Sequence, residues 1–316
     1  MKDTEYAYAV AYIKTFENKM LKKADLEALI NAPDYSAALK LLADRGYADG
    51  GDIDEVLKNE LEAVWHEAEE ATPAEAPLDI LKYKNDFHNL KTILKAFLTN
   101  ADWEKLMLAP SAVPPEEIFE AVKRADFSEL PEFIRDTAEG GYKIITAEHD
   151  GQAAEIYIDK NAYSVMEKSA VGNSFLEGWV KMNAVFTDIS IALRSYGKST
   201  EFIENALIPA GGIDLKRLAQ LAVDGTDAVA DFTASLGYGE GAEKIKESIG
   251  EFEKWCDNRK TEYLKTAKNR FFGFEPIMAF LLGKEAEIQA VRIILSGQKN
   301  KISAETIRER LRDLYV

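Results

Sequence analysis

Residues 83–97 read YKNDFHNLKTILKAF, and their apolar members are Tyr83, Phe87, Leu90, Ile93, Leu94 and Phe97. Gaps of three and four between apolar residues place them along one side of a helix, where side chains repeat every 3.6 residues. The same spacing recurs at Trp179, Met182, Val185, Phe186, Ile189, Leu193 and Tyr196. It recurs again at Ile277, Phe280, Leu281, Ile288, Val291, Ile294 and Leu295. Proline- and glycine-rich connections separate such blocks: ATPAEAP (71–77), PSAVPP (110–115), IPAGG (208–212) and GYGEG (237–241). The pattern predicts an all-α protein. One exception is expected at YKIITAEHDGQAAEIYI (142–158), read as a strand hairpin turning at Asp150-Gly151.

The three stripes align without gaps as DFHNLKTILK (86–95), VFTDISIALR (185–194) and EIQAVRIILS (287–296). Leu90, Ile189 and Val291 coincide at separations of 99 and 102 residues, as do Leu94, Leu193 and Leu295. A second agreement is independent of these helices: ADLEAL (24–29) matches IDLKRL (213–218). Each is followed by a Gly-Tyr pair, Gly46-Tyr47 and Gly237-Tyr238, and Asp25 and Asp214 are each expected to cap a helix N-terminus. A unit of about a hundred residues present three times accounts for both agreements. The expected units are 1–105, 106–207 and 208–316, arranged about a pseudo-threefold axis as a funnel-shaped body.

Composition narrows the function classes. The 316 residues include 39 basic and 55 acidic side chains, a net charge of −16, so phosphate backbones and anionic lipid surfaces are poor partners. The expected partners are basic proteins or predominantly apolar surfaces, unless the charge serves solubility alone. No apolar run approaches the length of a membrane span; IMAFLLG (277–283) is the nearest, and no membrane insertion is expected. The opening MKDTEYAYAV lacks the apolar core of a secretory signal. A single cysteine, Cys256, suits a reducing compartment, and the expected location is the cytoplasm.

The GKST of YGKST (196–200) resembles the end of a phosphate-binding loop, but that motif needs a glycine five residues before Gly197, where Ala192 stands. It also needs a preceding strand, whereas VFTDISIALR predicts a helix. Gly197 therefore reads as a C-cap glycine and Lys198 as a cation near the negative end of that helix. The three glycines of GYGEGAEK (237–244) have the wrong spacing for a dinucleotide fingerprint. His66, His88 and His149 lie in three different segments and form no metal-ligand spacing. Cys256 follows Trp255 on a predicted helix and reads as a packed thiol. No catalytic residue, cofactor, metal site or direct nucleotide binding is expected. Glu285, Glu287 and Arg292 stand out as charges on an otherwise apolar helix. They are read either as the solvated ends of a structural helix or as contacts with a partner.

The C-terminal GFEPIMAFLLGKEAEIQAVRIILSGQKNKISAETIRERLRDLYV (273–316) resembles the C subunit of V-type ATPases and ATP synthases, the archaeal and bacterial counterpart of the eukaryotic d subunit. Glu275, Lys284, Glu285, Glu287, Ile288, Arg292, Ser303, Glu305, Ile307, Arg308, Leu311, Tyr315 and Val316 carry the likeness. YAYAVAYIKTFENKML (6–21) is similar to the family's opening helix, with Tyr12 where an arginine is common, and DFHNLKTILK is similar to its first internal motif. The second copy departs from that motif at Val185, in place of the acid, and at Asp188, in place of the asparagine. The resemblance implies a non-catalytic, peripheral rotor subunit of three helical domains. Its partners would be the central-stalk and membrane rotor-ring subunits, with torque passing between them. Glu275, Glu285, Glu287, Arg292 and Arg308 are the residues it marks for partner contact. A free-standing helical scaffold with unrelated partners is the competing expectation.

Overall fold

A computed structural model describes residues 3–48 and 52–316. Among these residues sixteen α-helices run in chain order: α1 Ala7–Glu17, α2 Lys23–Ile30, α3 Tyr35–Ala43, α4 Ile53–Ala71, α5 Tyr83–Thr99, α6 Pro115–Arg124, α7 Glu132–Ala147 and α8 Gly151–Ala170. There follow α9 Ser174–Arg194, α10 Thr200–Ala206, α11 Leu215–Asp224, α12 Thr226–Ser235, α13 Gly239–Glu247, α14 Ile249–Lys265, α15 Glu275–Lys299 and α16 Ala304–Arg310. No strand occurs among the described residues.

The hairpin expected at 142–158 is therefore corrected to a pair of helices. His149 takes a left-handed φ of 53° after α7, and the Asp150 side chain accepts the Ala153 N–H at 2.9 Å to start α8. Asp150-Gly151 is a turn signal as expected, but it joins helices. The residues that decide this are Ile145, Ala154 and Ile158, all buried in one helical core with Leu94. Gly140 lets the Tyr157 ring lie against the α7 backbone, for a Cβ there would meet the ring within 3 Å.

The chain forms two compact units, residues 1–78 with 257–316 and residues 79–256. In the first, α15 is the central element. Sixteen of its residues are buried, all round the helix, as expected for a helix in a core rather than on a surface. Leu26, Leu42 and Leu57, from α2, α3 and α4, join Ile288, Val291 and Leu295 in one cluster. Two glycines let the tail back onto α15. Tyr315 lies against Gly283 and Ile307 against Gly297, each so close that a Cβ would sit under 3 Å from the neighbour. In the second unit, Phe87, Leu90, Ile93 and Leu94 of α5 are buried with Ile118, Val122, Ile134 and Ile158.

Candidate architectural site: buried polar clasps on the long helices

The gap-free alignment puts Asp86, Val185 and Glu287 at one register position, and the structure gives each the task of holding a loop or an opening segment. On α5, Asp86 accepts the Val113 N–H at 2.9 Å and the Ala112 N–H at 3.2 Å. Asn85 donates to the Pro110 carbonyl at 2.7 Å. Asn89 accepts the Leu108 N–H at 2.8 Å and donates to the Leu108 carbonyl at 3.0 Å. Asp86 and Asn89 are both 0% exposed, and a buried polar side chain is tolerated where such bonds replace those to water. Burial pushes the Asp86 carboxyl up to about 6, although the two backbone N–H groups pull it down.

On α9 the acid is replaced by Val185, and the loop comes in by packing: a Cβ on Gly211 would lie 2.9 Å from Val185 Cγ2. Three residues along, Asp188 accepts the Ile208 N–H at 2.7 Å.

On α15, Glu287 is 1% exposed. It accepts the Leu21 N–H through Oε2 at 2.7 Å and, through Oε1, the Tyr47 hydroxyl at 2.5 Å and the Lys284 ammonium at 2.7 Å. Lys284 also meets Glu60 at 2.8 Å and lies 4.6 Å from the Tyr47 ring centroid. One buried cation thus faces two carboxylates, a hydroxyl and an aromatic face, the kind of multiple pairing a buried ion needs. Burial first, and then the charge of Glu287, drive the Tyr47 phenol far above its usual range, so it stays a donor.

The Gly-Tyr pairs deliver both tyrosines to the same kind of place. Gly46 (φ 100°) and Gly237 (φ 91°) end α3 and α12, and the following N–H groups reach back to Leu42 and Thr233. Tyr47 then meets Glu287 of α15, and the Tyr238 ring packs on Phe186 of α9 at 5.2 Å. Asp214 caps α11 by accepting the Arg217 N–H at 3.0 Å. Asp25 does not stand at the N-cap. It sits inside the first turn of α2 and reaches back to the Lys22 N–H at 2.9 Å, favourable for an acid at the positive end of a helix.

The other sequence candidates fall in separate places. Gly197 (φ 79°) and Lys198 lie in the turn between α9 and α10, and Lys198 stands 5.3 Å from the Phe202 ring centroid. Arg292 pairs with Asp54 at 2.5 Å, Arg308 with Glu27 at 2.9 Å, and Glu275 with Arg270 at 3.2 Å. Glu285 is half-buried on α15. Of the five residues marked for partner contact, Glu287 faces inward with both oxygens engaged, and Arg308 is exposed. His66 and His149 are exposed, His88 is partly buried beside Leu106, and Cys256 is a buried free thiol. No group of three metal-ligating side chains and no helix long and apolar enough to cross a membrane occurs among the described residues.

Two features were not singled out from the sequence: the Lys284–Glu60 pair and the Gln298 amide, which donates to the Ile30 carbonyl at 2.8 Å and so closes the C-terminal end of α2. The available signal was a lysine and a glutamine inside an apolar helix.

These features define an all-helical protein whose buried polar side chains tie its own segments together. The family model of the ATP synthase (C/AC39) subunit matches residues 9–310, and the chain belongs to that family. It is similar to the C subunit of the V-type sodium ATPase of Enterococcus hirae, at 22% identity over 98% of this chain and 99% of that protein. It is also similar to the C subunit of the A-type ATP synthase of a Desulfurococcus species, at 23% identity over 98% of this chain and 91% of that one. The corresponding A-type ATP synthase protein of Methanosarcina acetivorans matches at 23% identity over 98% of this chain and 93% of its own length.

Proposed function

We propose that the chain is a non-catalytic rotor subunit of a V/A-type ATPase or ATP synthase, standing between the central stalk and the membrane rotor ring and passing torque from one to the other. The observation that carries this reading is the family match, which runs almost from end to end of both this chain and the Enterococcus protein. Dense helix packing and inward-facing polar clasps suit a part that must transmit force, since close-packed interiors are stiff and carry strain. The chain is peripheral to the membrane, held through the ring.

We read the chain further as three related helical units, each built on one long helix: α5, α9 and α15. The register-matched clasps and the two Gly-Tyr turns support this. Glu275, Glu285, Arg292 and Arg308 are proposed for partner contact. For Glu287 the inward hydrogen bonds favour a role in holding the opening segment.

The test is an affinity pull-down of the tagged chain against the stalk and ring subunits encoded with it. Stoichiometric recovery of both is expected. Recovery of neither, under salt conditions that preserve related complexes, overturns the reading. Reversing Arg292 and Arg308 to glutamate should weaken the recovered complex if they make contact.

A further inference from the structure

α5 and α9 present one register position to a later loop, the one after α5 and the one between α10 and α11, and they fill it differently. Asn89 holds Leu108 by both of its backbone groups, accepting the N–H and donating to the carbonyl. Asp188, 99 residues later, holds Ile208 by the N–H alone, through Oδ1 at 2.7 Å. Its other oxygen, Oδ2, is buried without a hydrogen-bond partner, in a side chain 0% exposed. An ionised carboxylate with one oxygen facing no donor bears a heavy desolvation penalty. A neutral carboxyl lessens that penalty: Oδ1 still accepts the Ile208 N–H, and Oδ2 carries a proton at the register position where Asn89 has its NH₂.

We propose that Asp188 is a proton-binding site: the folded protein holds it as a neutral acid, with the proton on Oδ2, as the counterpart of the Asn89 amide. The proton is what lets an aspartate occupy the place where α5 carries an asparagine. When the proton leaves, a charge is left on a buried oxygen that meets no donor, and the folded state loses stability.

The surroundings agree. Burial raises the Asp188 carboxyl to about 7, outweighing the Ile208 N–H and the charge of Lys160 on α8, both of which act the other way. Lys160 is itself half-buried, 3.5 Å from Asn205, and also feels Glu204 of α10. The neighbouring Thr187 hydroxyl bonds the phenol of Tyr163 on α8 at 2.9 Å, and that phenol feels Asp159 as well as Asp188. On α14, Glu253 pairs with Arg194 near the end of α9. On α11 and α12 the ionisable residues Lys216, Arg217, Asp224, Asp227 and Asp231 are exposed.

The sign of the linkage is fixed by the raised folded-state value. Between the ordinary carboxyl range and about 7 the folded state holds more protons than the unfolded chain, so stability falls as pH rises through that window and is level above it. The test compares urea unfolding of the wild type and Asp188→Asn at intervals from pH 5 to 8.5. Alongside it, the Asp188 carboxyl carbon of the wild type is titrated by NMR, assigned through its own backbone signals. The ratio of wild-type to variant folding constants is expected to fall about tenfold per pH unit up to about pH 7 and then level. The carboxyl signal is expected to titrate near 7. A ratio independent of pH, or a carboxyl signal titrating near 4, overturns the proposal. The NMR arm decides even if the variant does not fold.

Discussion

Glu287 accepts the backbone N–H of Leu21 at 2.7 Å, across 266 residues of chain. One carboxylate therefore ties the segment between α1 and α2 to the last long helix, and its other oxygen gathers Tyr47 and Lys284. Removing it leaves the Leu21 N–H and the Tyr47 hydroxyl without their acceptor and takes from the buried Lys284 one of its two carboxylates. Glu287→Ala should lower the unfolding free energy by about 3–5 kcal/mol, as for other broken buried pairs. Urea titration checks this, and a loss below about 1 kcal/mol would show the network to be dispensable. Arg308→Ala removes an exposed pair with Glu27 and should leave the transition midpoint unchanged.

The glycines separate steric from conformational effects. In Gly283→Ala the new methyl group meets Tyr315 at 2.7 Å, with the tail unable to approach α15, and a loss of about 1–3 kcal/mol is expected. Gly46→Ala meets nothing within 4 Å but must adopt a φ of 100°, for which about 1–2 kcal/mol is expected. Gly250→Ala in α14 meets only ordinary contact and should stabilise by about 0.5–1 kcal/mol. Thermal melts of the three variants test the ranking, and a destabilised Gly250→Ala would contradict it.

Asp86 and Asp188 should respond in opposite ways to the same change. Both oxygens of Asp86 face N–H donors, so Asp86→Asn sets its own NH₂ against one of them and should cost about 1–3 kcal/mol at pH 8. Asp188→Asn should be neutral or stabilising at that pH. Equal effects from the two substitutions would mean that the difference between the clasps has no energetic weight.

Lys198 gives a test of the phosphate-loop resemblance. Its turn lies between two helices, with the side chain over Phe202. Magnesium-ATP at millimolar concentration is expected to leave the melting temperature of the wild type and of Lys198→Ala unchanged. A shift in the wild type that Lys198→Ala abolishes would establish binding, because a ligand of the native state raises its melting point.

Helix type and the buried faces were legible because apolar spacing reports directly on what a helix covers. Phe87, Leu90, Ile189, Val291 and Leu295, all marked by spacing, are all buried. The exceptions lie at stripe ends: Tyr196 is 82% exposed, since it stands past the end of α9, where the 3.6-residue geometry no longer applies. The segment 142–158 misled because Ile and Tyr favour strands and Asp-Gly favours tight turns. Burial against α5 overrode both preferences. The clasps were only half legible. The sequence shows Asp86, Asp188 and Glu287 on apolar helices, but their partners are backbone N–H groups 20 to 266 residues away. Backbone groups carry no residue identity, so no motif announces them. Glu287 illustrates the limit, for a charge on an apolar helix looks the same whether it faces a partner or the chain's own loop.

The proposed coupling between stalk and ring is open to a depletion and add-back experiment. Membranes carrying the rotary complex are stripped of this chain, and ATP hydrolysis and ion uptake are measured before and after the purified chain is returned. Hydrolysis by the head is expected to continue without the chain, ATP-driven ion uptake to stop, and uptake to return when the chain is added back. Ion uptake that is undiminished in membranes lacking the chain would contradict a coupling role.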